Sequence, residues 1–288
     1  MMRERCIRPL ICPVCHSPLA AHELALRCEQ GHSFDRAREG YVNLLLSRKK
    51  LPDTVGDAAF MLQARRRFLD SGAYAALHTA VNQLAYASLT NQPERVSVLD
   101  AGCGEGYYIS QLGQFLAYRM PETAVCTFGT DIAKTAVKLA ARRDPATQFL
   151  VADTNHFIPC ADGSLQLLLN VFAPRHPIEF ARVLAAGGHL LIVIPGPEHL
   201  AQLRAQFGLL DIEPEKQPKL VTQLADYFTL QQEQSVVFSL QLDKQQLNDL
   251  VQMTPSARHL SAAQQQAMQE IPSFTTVAQF QLLLFRKL

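Results

Sequence analysis

From residue 72 onward the apolar positions keep two rhythms in alternation. Apolar residues recurring every three to four places predict helices at 75–89, 107–116, 133–143 and 180–184. Short apolar runs between them predict strands at 96–99, 125–129, 149–151, 165–171 and 189–194. Helices and strands taking turns in this way predict an α/β fold, a mostly parallel sheet covered on both faces. The rhythm then changes. Residues 234–242 alternate like a strand, 244–253 are helical, and 274–285 form a long final strand. Upstream, Met61, Ala64, Phe68 and Leu69 share one stripe of a helix that starts near Asp57. Two stretches have no period. Residues 35–57 are polar and turn-rich, as in a linker or a mobile substrate loop. Residues 216–223, with prolines at 214 and 218, predict a loop over the pocket.

Composition narrows this picture. A chain of 288 residues holds one large domain and one small one, and 48% hydrophobic with 18% charged residues is ordinary for a globular protein with a substantial core. The divisions expected are a module at 1–40, a linker with its helix at 41–71, and a catalytic domain at 72–288. No apolar run approaches the roughly 18 residues of a membrane span, and the arginine-bearing N-terminus lacks the apolar stretch of a secretory signal. Seven cysteines, an odd number, argue against a disulfide framework. The expectation is a reduced, cytoplasmic enzyme with Cys6 a bystander. Charge is uneven: residues 1–50 carry nine of the 27 basic and five of the 26 acidic residues. That positive front end suits an anionic partner such as a phosphate backbone, although chance clustering accounts for it as well.

The first 32 residues bring metal chemistry. Cys12-x-x-Cys15 and Cys28-x-x-x-His32 are two short knuckles, each able to present two ligands to one ion. Thiolate and imidazole are the ligands of closed structural zinc sites. A redox pair at Cys12 and Cys15 would leave Cys28 and His32 unexplained, and His16 is a substitute ligand that adjacency to Cys15 makes awkward. Beyond the linker, Arg65, Arg66 and Arg67 lie off the apolar stripe, either as a solvated face or as phosphate contacts.

Glycines alternate in Val98-Leu-Asp-Ala-Gly-Cys-Gly-Glu105 and continue to Gly106, between a strand and a helix. Such a turn lets backbone amides press against a ligand. Tyr107 stands where a dinucleotide fingerprint would place its last glycine. With Asp100 two places before Gly102, the segment instead resembles motif I of the S-adenosylmethionine-dependent methyltransferases. Gly102, Asp131 and Asp153 all fall at carboxyl ends of predicted strands, where a doubly wound sheet binds its ligand. Asp131 can accept hydrogen bonds from vicinal ribose hydroxyls or cap the next helix. Asp153 can accept from an adenine amine or close a plain turn.

Taken together, the chain resembles the zinc-containing 23S rRNA (guanine-N1)-methyltransferases, the RlmA type, over nearly its whole length. The resemblance rests on the zinc spacing, Glu39-Gly-Tyr-Val-Asn-Leu-Leu45, Gly56-Asp57, Gln63-Ala-Arg-Arg66, Phe68-Leu-Asp70, Leu99-Asp-x-Gly-Cys-Gly-Glu-Gly-Tyr-Tyr108, Pro195-Gly-Pro-x-His-Leu200 and Gln252-Met-Thr-Pro255. It implies a class I methyltransferase fold, Rossmann-like and mostly parallel with a C-terminal antiparallel strand, behind a small zinc-binding domain. Zinc would be held by Cys12, Cys15, Cys28 and His32. S-adenosylmethionine would meet Tyr74, Cys103, Gly104 and His199 as well as Asp100, Gly102 and Asp131. The partner implied is a 23S rRNA hairpin, and a homodimer would widen the cleft. The segment Asn170-Val-Phe-Ala-Pro174, where acceptor pockets are shaped, departs from the family's pattern. Guanine N1 must lose a proton, and Asp53 and Asp57 are candidate bases. Two other readings stay open here, a small-molecule methyltransferase and a non-catalytic zinc-knuckle binding module.

Overall fold

The computed structural model describes residues 6–46, 57–89, 94–209, 215–254, 257 and 260–288. In chain order the elements are β1 (Leu19–His22), β2 (Ala25–Cys28), β3 (Ser33–Asp35), β4 (Val42–Asn43), α1 (Ala59–Asp70), α2 (Ala75–Leu89), β5 (Arg95–Ala101) and α3 (Tyr107–Arg119). They continue with β6 (Ala124–Asp131), α4 (Lys134–Arg143), β7 (Gln148–Val151), β8 (Leu165–Val171), α5 (Pro177–Val183), β9 (Leu184–Pro195) and α6 (Ala201–Phe207). The last are α7 (Lys216–Leu224), β10 (Phe228–Asp243), α8 (Lys244–Gln252), α9 (Ala262–Gln269) and β11 (Ser273–Lys287).

Eight strands form the main sheet in the order β10-β11-β9-β8-β5-β6-β7-β4. Pairing is parallel from β9 through to β4, while β11 runs antiparallel to both β9 and β10. Alternate strand residues feed two cores, because successive side chains leave a strand on opposite faces. Val96, Val98, Leu167, Leu169, Leu191 and Val193 join one cluster with α2, α3 and α8. Leu99, Phe128, Leu150, Leu168, Leu190 and Ile192 join the other.

The second face is closed in an unexpected way. No helix occurs between β7 and β8. The N-terminal module lies there instead, placing Ile7, Leu10, Leu19 and Leu26 in the same core as Leu99 and Phe180. Burial of each such side chain is worth roughly 1.5–3 kcal/mol. Backbone joins reinforce the seam: Leu10 bridges Cys160, and Ala161 N donates to Pro9 O at 2.7 Å. β4 extends the main sheet by pairing with β7, Val42 opposite Leu150. Where the sequence predicts a linker, two residues are therefore sheet.

Two further expectations are corrected. Cys6 is not a bystander, because its sulfur is bonded to that of Cys126 on β6. The other five cysteines carry free thiols. Residues 216–223 form α7 rather than a loop. Pro218 sits in the helix's first turn, where its missing N–H costs nothing, and Leu220 and Leu224, one turn apart, are buried. Among the described residues no helix is long and apolar enough to cross a membrane.

Candidate active site and metal centre

Each zinc knuckle is built by local backbone bonds. His16 N donates to Cys12 O and Gly31 N to Cys28 O, so each tight turn returns its second ligand toward the first. The ligand atoms of Cys12, Cys15, Cys28 and His32 lie within 4.8 Å of one another. Sγ of Cys15 and Cys28 are 3.6 Å apart, and Cys28 Sγ is 3.4 Å from His32 Nδ1. A tetrahedral ion with Zn–S bonds of about 2.3 Å spaces its sulfurs about 3.8 Å apart, so the donor set fits zinc. The Ser17 backbone hydrogen bond draws the Cys15 thiol down to about 6, toward the thiolate a metal needs. His16 takes no part. Its ring stacks on Phe157 at 4.8 Å, pinning the module to the loop after β7.

On the catalytic side, the glycine turn closes the end of β5. Gly102 N and Cys103 N both donate to Thr130 O, at 2.9 and 2.8 Å, which ties the turn to β6. Gly102 has a φ of +86°, and a Cβ there would lie 2.4 Å from Cβ of Ala173. Gly106 is similarly enclosed, by Ala140 and Phe149. Asp131 accepts from Gly104 N at 2.9 Å and from Ala133 N at 2.8 Å, which leaves each oxygen a lone pair for a further donor. The N-cap of α4 is Ala133, so Asp131 braces the turn rather than capping the helix.

Asp100 is 1% exposed, and one carboxyl oxygen has no hydrogen-bond partner. Burial, with the charge of Asp131, pushes it up to about 8. Burial likewise raises the Cys103 thiol. His199 is pulled down to about 3 by burial and by Arg204, and its Nδ1 accepts from Gln279 N at 3.2 Å. The neutral ring therefore carries its proton on Nε2. Tyr74 is buried against Phe68, Phe280 and His199. Tyr74, Asp100, Gly102, Cys103, Gly104, Asp131 and His199 all line one cavity of about 680 Å³.

Other expected residues have different partners. Arg65 pairs with Asp57 at 2.5 Å and donates to Met253 O, Arg66 pairs with Asp70, and Arg67 with the buried Asp249. Arg65 and Arg67 thus tie α1 to its surroundings, while the Arg66 pair lies within the helix. Asp153 accepts from Asn155 N and pairs with His156 at the cavity edge, as in a plain turn. Asp57 also lines the cavity, whereas Asp53 lies outside the described residues.

The sequence hides a buried ionic knot beside the turn. Glu105, 1% exposed, accepts from Arg143 Nε at 2.7 Å and from its Nη2, while Arg143 Nη1 reaches Asp70 at 2.7 Å. Turn, α4 and α1 are locked by one guanidinium. Burial nonetheless raises the Glu105 carboxyl, with Arg143 opposing. Only the identity of Glu105, an acid next to three glycines, hinted at this.

Residues 10–51 match the family model described as RlmA, N-terminal, a zinc ribbon, and residues 99–192 match the model described as Methyltransferase domain. The chain is 39% identical over 259 residues to the 23S rRNA (guanine(748)-N(1))-methyltransferase of Streptomyces fradiae, covering 90% of this chain and 89% of that one. It is 39% identical to a putative 23S rRNA (guanine-N(1)-)-methyltransferase of Micromonospora griseorubida, covering 88% of each. A putative enzyme of the same description from Bacillus subtilis is 31% identical, covering 85% of this chain and 86% of that one. With its zinc ribbon, glycine turn and extended parallel sheet, the chain belongs to the family of 23S rRNA (guanine-N1)-methyltransferases.

Proposed function

We propose that this protein transfers a methyl group from S-adenosylmethionine to N1 of a guanine in 23S rRNA. The observation that carries the reading is the shared cavity. It joins a glycine cradle, the buried Asp100 and the half-buried Asp131 to an open aromatic side, at a volume well within the roughly 300–1,000 Å³ of small-molecule sites. When bound, the cofactor supplies an already activated methyl. The chain's residues then have to bind and align. Gly102, Cys103 and Gly104 offer backbone to the amino-acid part, Asp131 accepts from the ribose, and Asp100 carries an unpaired buried oxygen on the cavity wall. Tyr74 and His199 wall the same space. Cys12, Cys15, Cys28 and His32 hold zinc.

The division of labour follows the chain: 1–40 as zinc module and RNA reader, 41–71 as linker and helix, and 72–288 as the methyltransferase. The target is a guanine presented by an rRNA hairpin, because N1 is reachable only in an unpaired or extruded base. Ribosomal RNA as substrate supports a cytoplasmic location. Two copies of the chain would give the hairpin a longer cleft, and a monomeric mass by light scattering at working concentration would refute that dimer.

The function is tested by incubating labelled S-adenosylmethionine with large-subunit rRNA from cells lacking the protein and identifying the labelled nucleoside by mass spectrometry. N1-methylguanosine is the expected product. No incorporation despite cofactor binding would transfer the reading to a small-molecule acceptor.

A further inference from the structure

We infer that two residues of the turn after β8, the segment where acceptor pockets of this fold are shaped, hold the target guanine: the Phe172 ring as its stacking platform and the Arg175 guanidinium on its O6 and N7. The inference rests on the methyltransferase reading above and assigns residues that reading leaves open.

Phe172 is 46% exposed although it lines the cavity, and its φ of +55° puts a large side chain in a region that favours glycine. Such strain persists only where surrounding structure imposes it. Here the imposition is visible. Asn170, fully buried, donates through Nδ2 to Ala101 O at 3.1 Å and Pro174 O at 2.9 Å, bracing the turn across its mouth. Phe172 N donates to Val193 O at 3.2 Å. The ring is backed by Tyr108 and Phe280, at 6.3 and 5.5 Å between centroids. A flat apolar surface is thus held half open against an aromatic support, directly after the strand that borders the glycine turn. Ala173, the next residue, is the one whose methyl would collide with any side chain at Gly102, so acceptor turn and cofactor cradle are in contact.

Arg175 supplies the second observation. It lines the same cavity and is half-buried, and its guanidinium makes no hydrogen bond or ion pair with any described residue. Arg65, Arg67, Arg143 and Arg182 all have carboxylate partners, so the contrast is internal to this chain. Burial alone makes the Arg175 cation less favourable. A desolvated guanidinium without a partner in a cavity is matched by a ligand with two adjacent acceptors.

Guanine offers such a pair at O6 and N7, the edge an arginine fork reads. Holding that edge leaves N1 uncovered and able to face the cofactor side, whereas a clamp on the N1 edge would block the reaction. Loss of the N1 proton to water at the open side leaves negative charge shared between N1 and O6. A cation at O6 stabilises that charge. The N1 lone pair then forms the bond to the methyl carbon as the carbon–sulfur bond breaks, its electrons turning the sulfonium into a neutral thioether.

The test uses the full chain, a synthetic rRNA hairpin containing the modified guanine, and the same hairpin with 7-deazaguanine at that position. Arg175→Ala is expected to lower single-turnover methylation roughly 10- to 100-fold, with cofactor affinity by calorimetry within about twofold of wild type. The deaza substitution should cost wild type about tenfold and the Arg175→Ala variant nothing more. The rising limb of the pH–rate profile should move to higher pH in Arg175→Ala. Phe172→Ala should lose roughly 10- to 100-fold, and Phe172→Tyr should restore the rate. Equal sensitivity of wild type and Arg175→Ala to 7-deazaguanine, or cofactor affinity falling with the rate, overturns the assignment. A wild-type chain that methylates no guanine N1 overturns the parent reading, and this one with it.

Discussion

Replacing Asp100 with asparagine asks whether the acid at the end of β5 is protonated in the folded, cofactor-free chain. Its carboxyl is buried with one oxygen unpaired, and burial with the charge of Asp131 raises it from 3.8 to about 8. A group whose folded value lies above its unfolded value takes up a proton on folding. Below about pH 4 both states are protonated and stability does not depend on this group. Between about pH 4 and pH 8 the unfolded chain ionises while the folded chain does not, so stability falls as pH rises. Above about pH 8 both states are ionised and the penalty is constant. Three pH units, from about pH 5 to pH 8, at about 1.36 kcal/mol each amount to about 4 kcal/mol. The assay is urea denaturation of wild type and Asp100→Asn at those two pH values without cofactor. The variant's stability relative to wild type should rise by about 4 kcal/mol between them. Parallel pH dependences for the two proteins would refute the buried, protonated acid.

Three other perturbations bear on different parts of the molecule. Gly102→Ala combines a left-handed penalty of about 1–2 kcal/mol with overpacking of about 1–3 kcal/mol against Ala173, so urea denaturation should register a loss of about 2–5 kcal/mol and calorimetry a loss of cofactor binding. Arg143→Ala strands the buried Glu105 carboxylate and should cost about 3–5 kcal/mol, whereas Arg143→Met combined with Glu105→Gln should recover most of it. Chelation, or Cys28→Ser, should remove one zinc per chain by metal analysis. Because the module shares a core with the sheet, the melting temperature of the whole cooperative transition should fall, rather than a separate early transition appearing.

What could be read from the sequence divides along physical lines. Apolar period located five strands of the parallel core and the two of the final hairpin, because a buried strand face leaves little room for polar interruption, but it missed β4 and the first five or six residues of β9 and β10. The glycine turn and the zinc knuckles were legible because their chemistry is local: ligands three or four residues apart, or a turn needing residues without Cβ. Partnerships between distant residues were not. Nothing near Arg65 or Arg67 in sequence announces Asp57 or Asp249 as partner, and an arginine run reads alike whether paired or solvated. The Cys6–Cys126 bond and the docking of Ile7 and Leu10 on the sheet are equally non-local. α7 was lost to its proline, which breaks a helix interior but not a first turn. Phe172 reads as one more strand apolar residue, because its left-handed backbone leaves no mark on sequence pattern.

The pairing of β4 with β7 carries a consequence for how the chain is made. Val42 and its partner Leu150 are separated by more than a hundred residues of nascent chain. At about 5–20 residues per second, the ribosome delivers β7 some 5–20 s after β4. Throughout that interval Leu10, Leu19 and Leu26 have no sheet to cover. A segment this short cannot bury enough surface to hold itself together, and a bound metal is the remedy small modules use. Zinc held by Cys12, Cys15, Cys28 and His32 would therefore act in time as well as in space, keeping the apolar face of Leu10, Leu19 and Leu26 presented until the domain that needs that face has been synthesised.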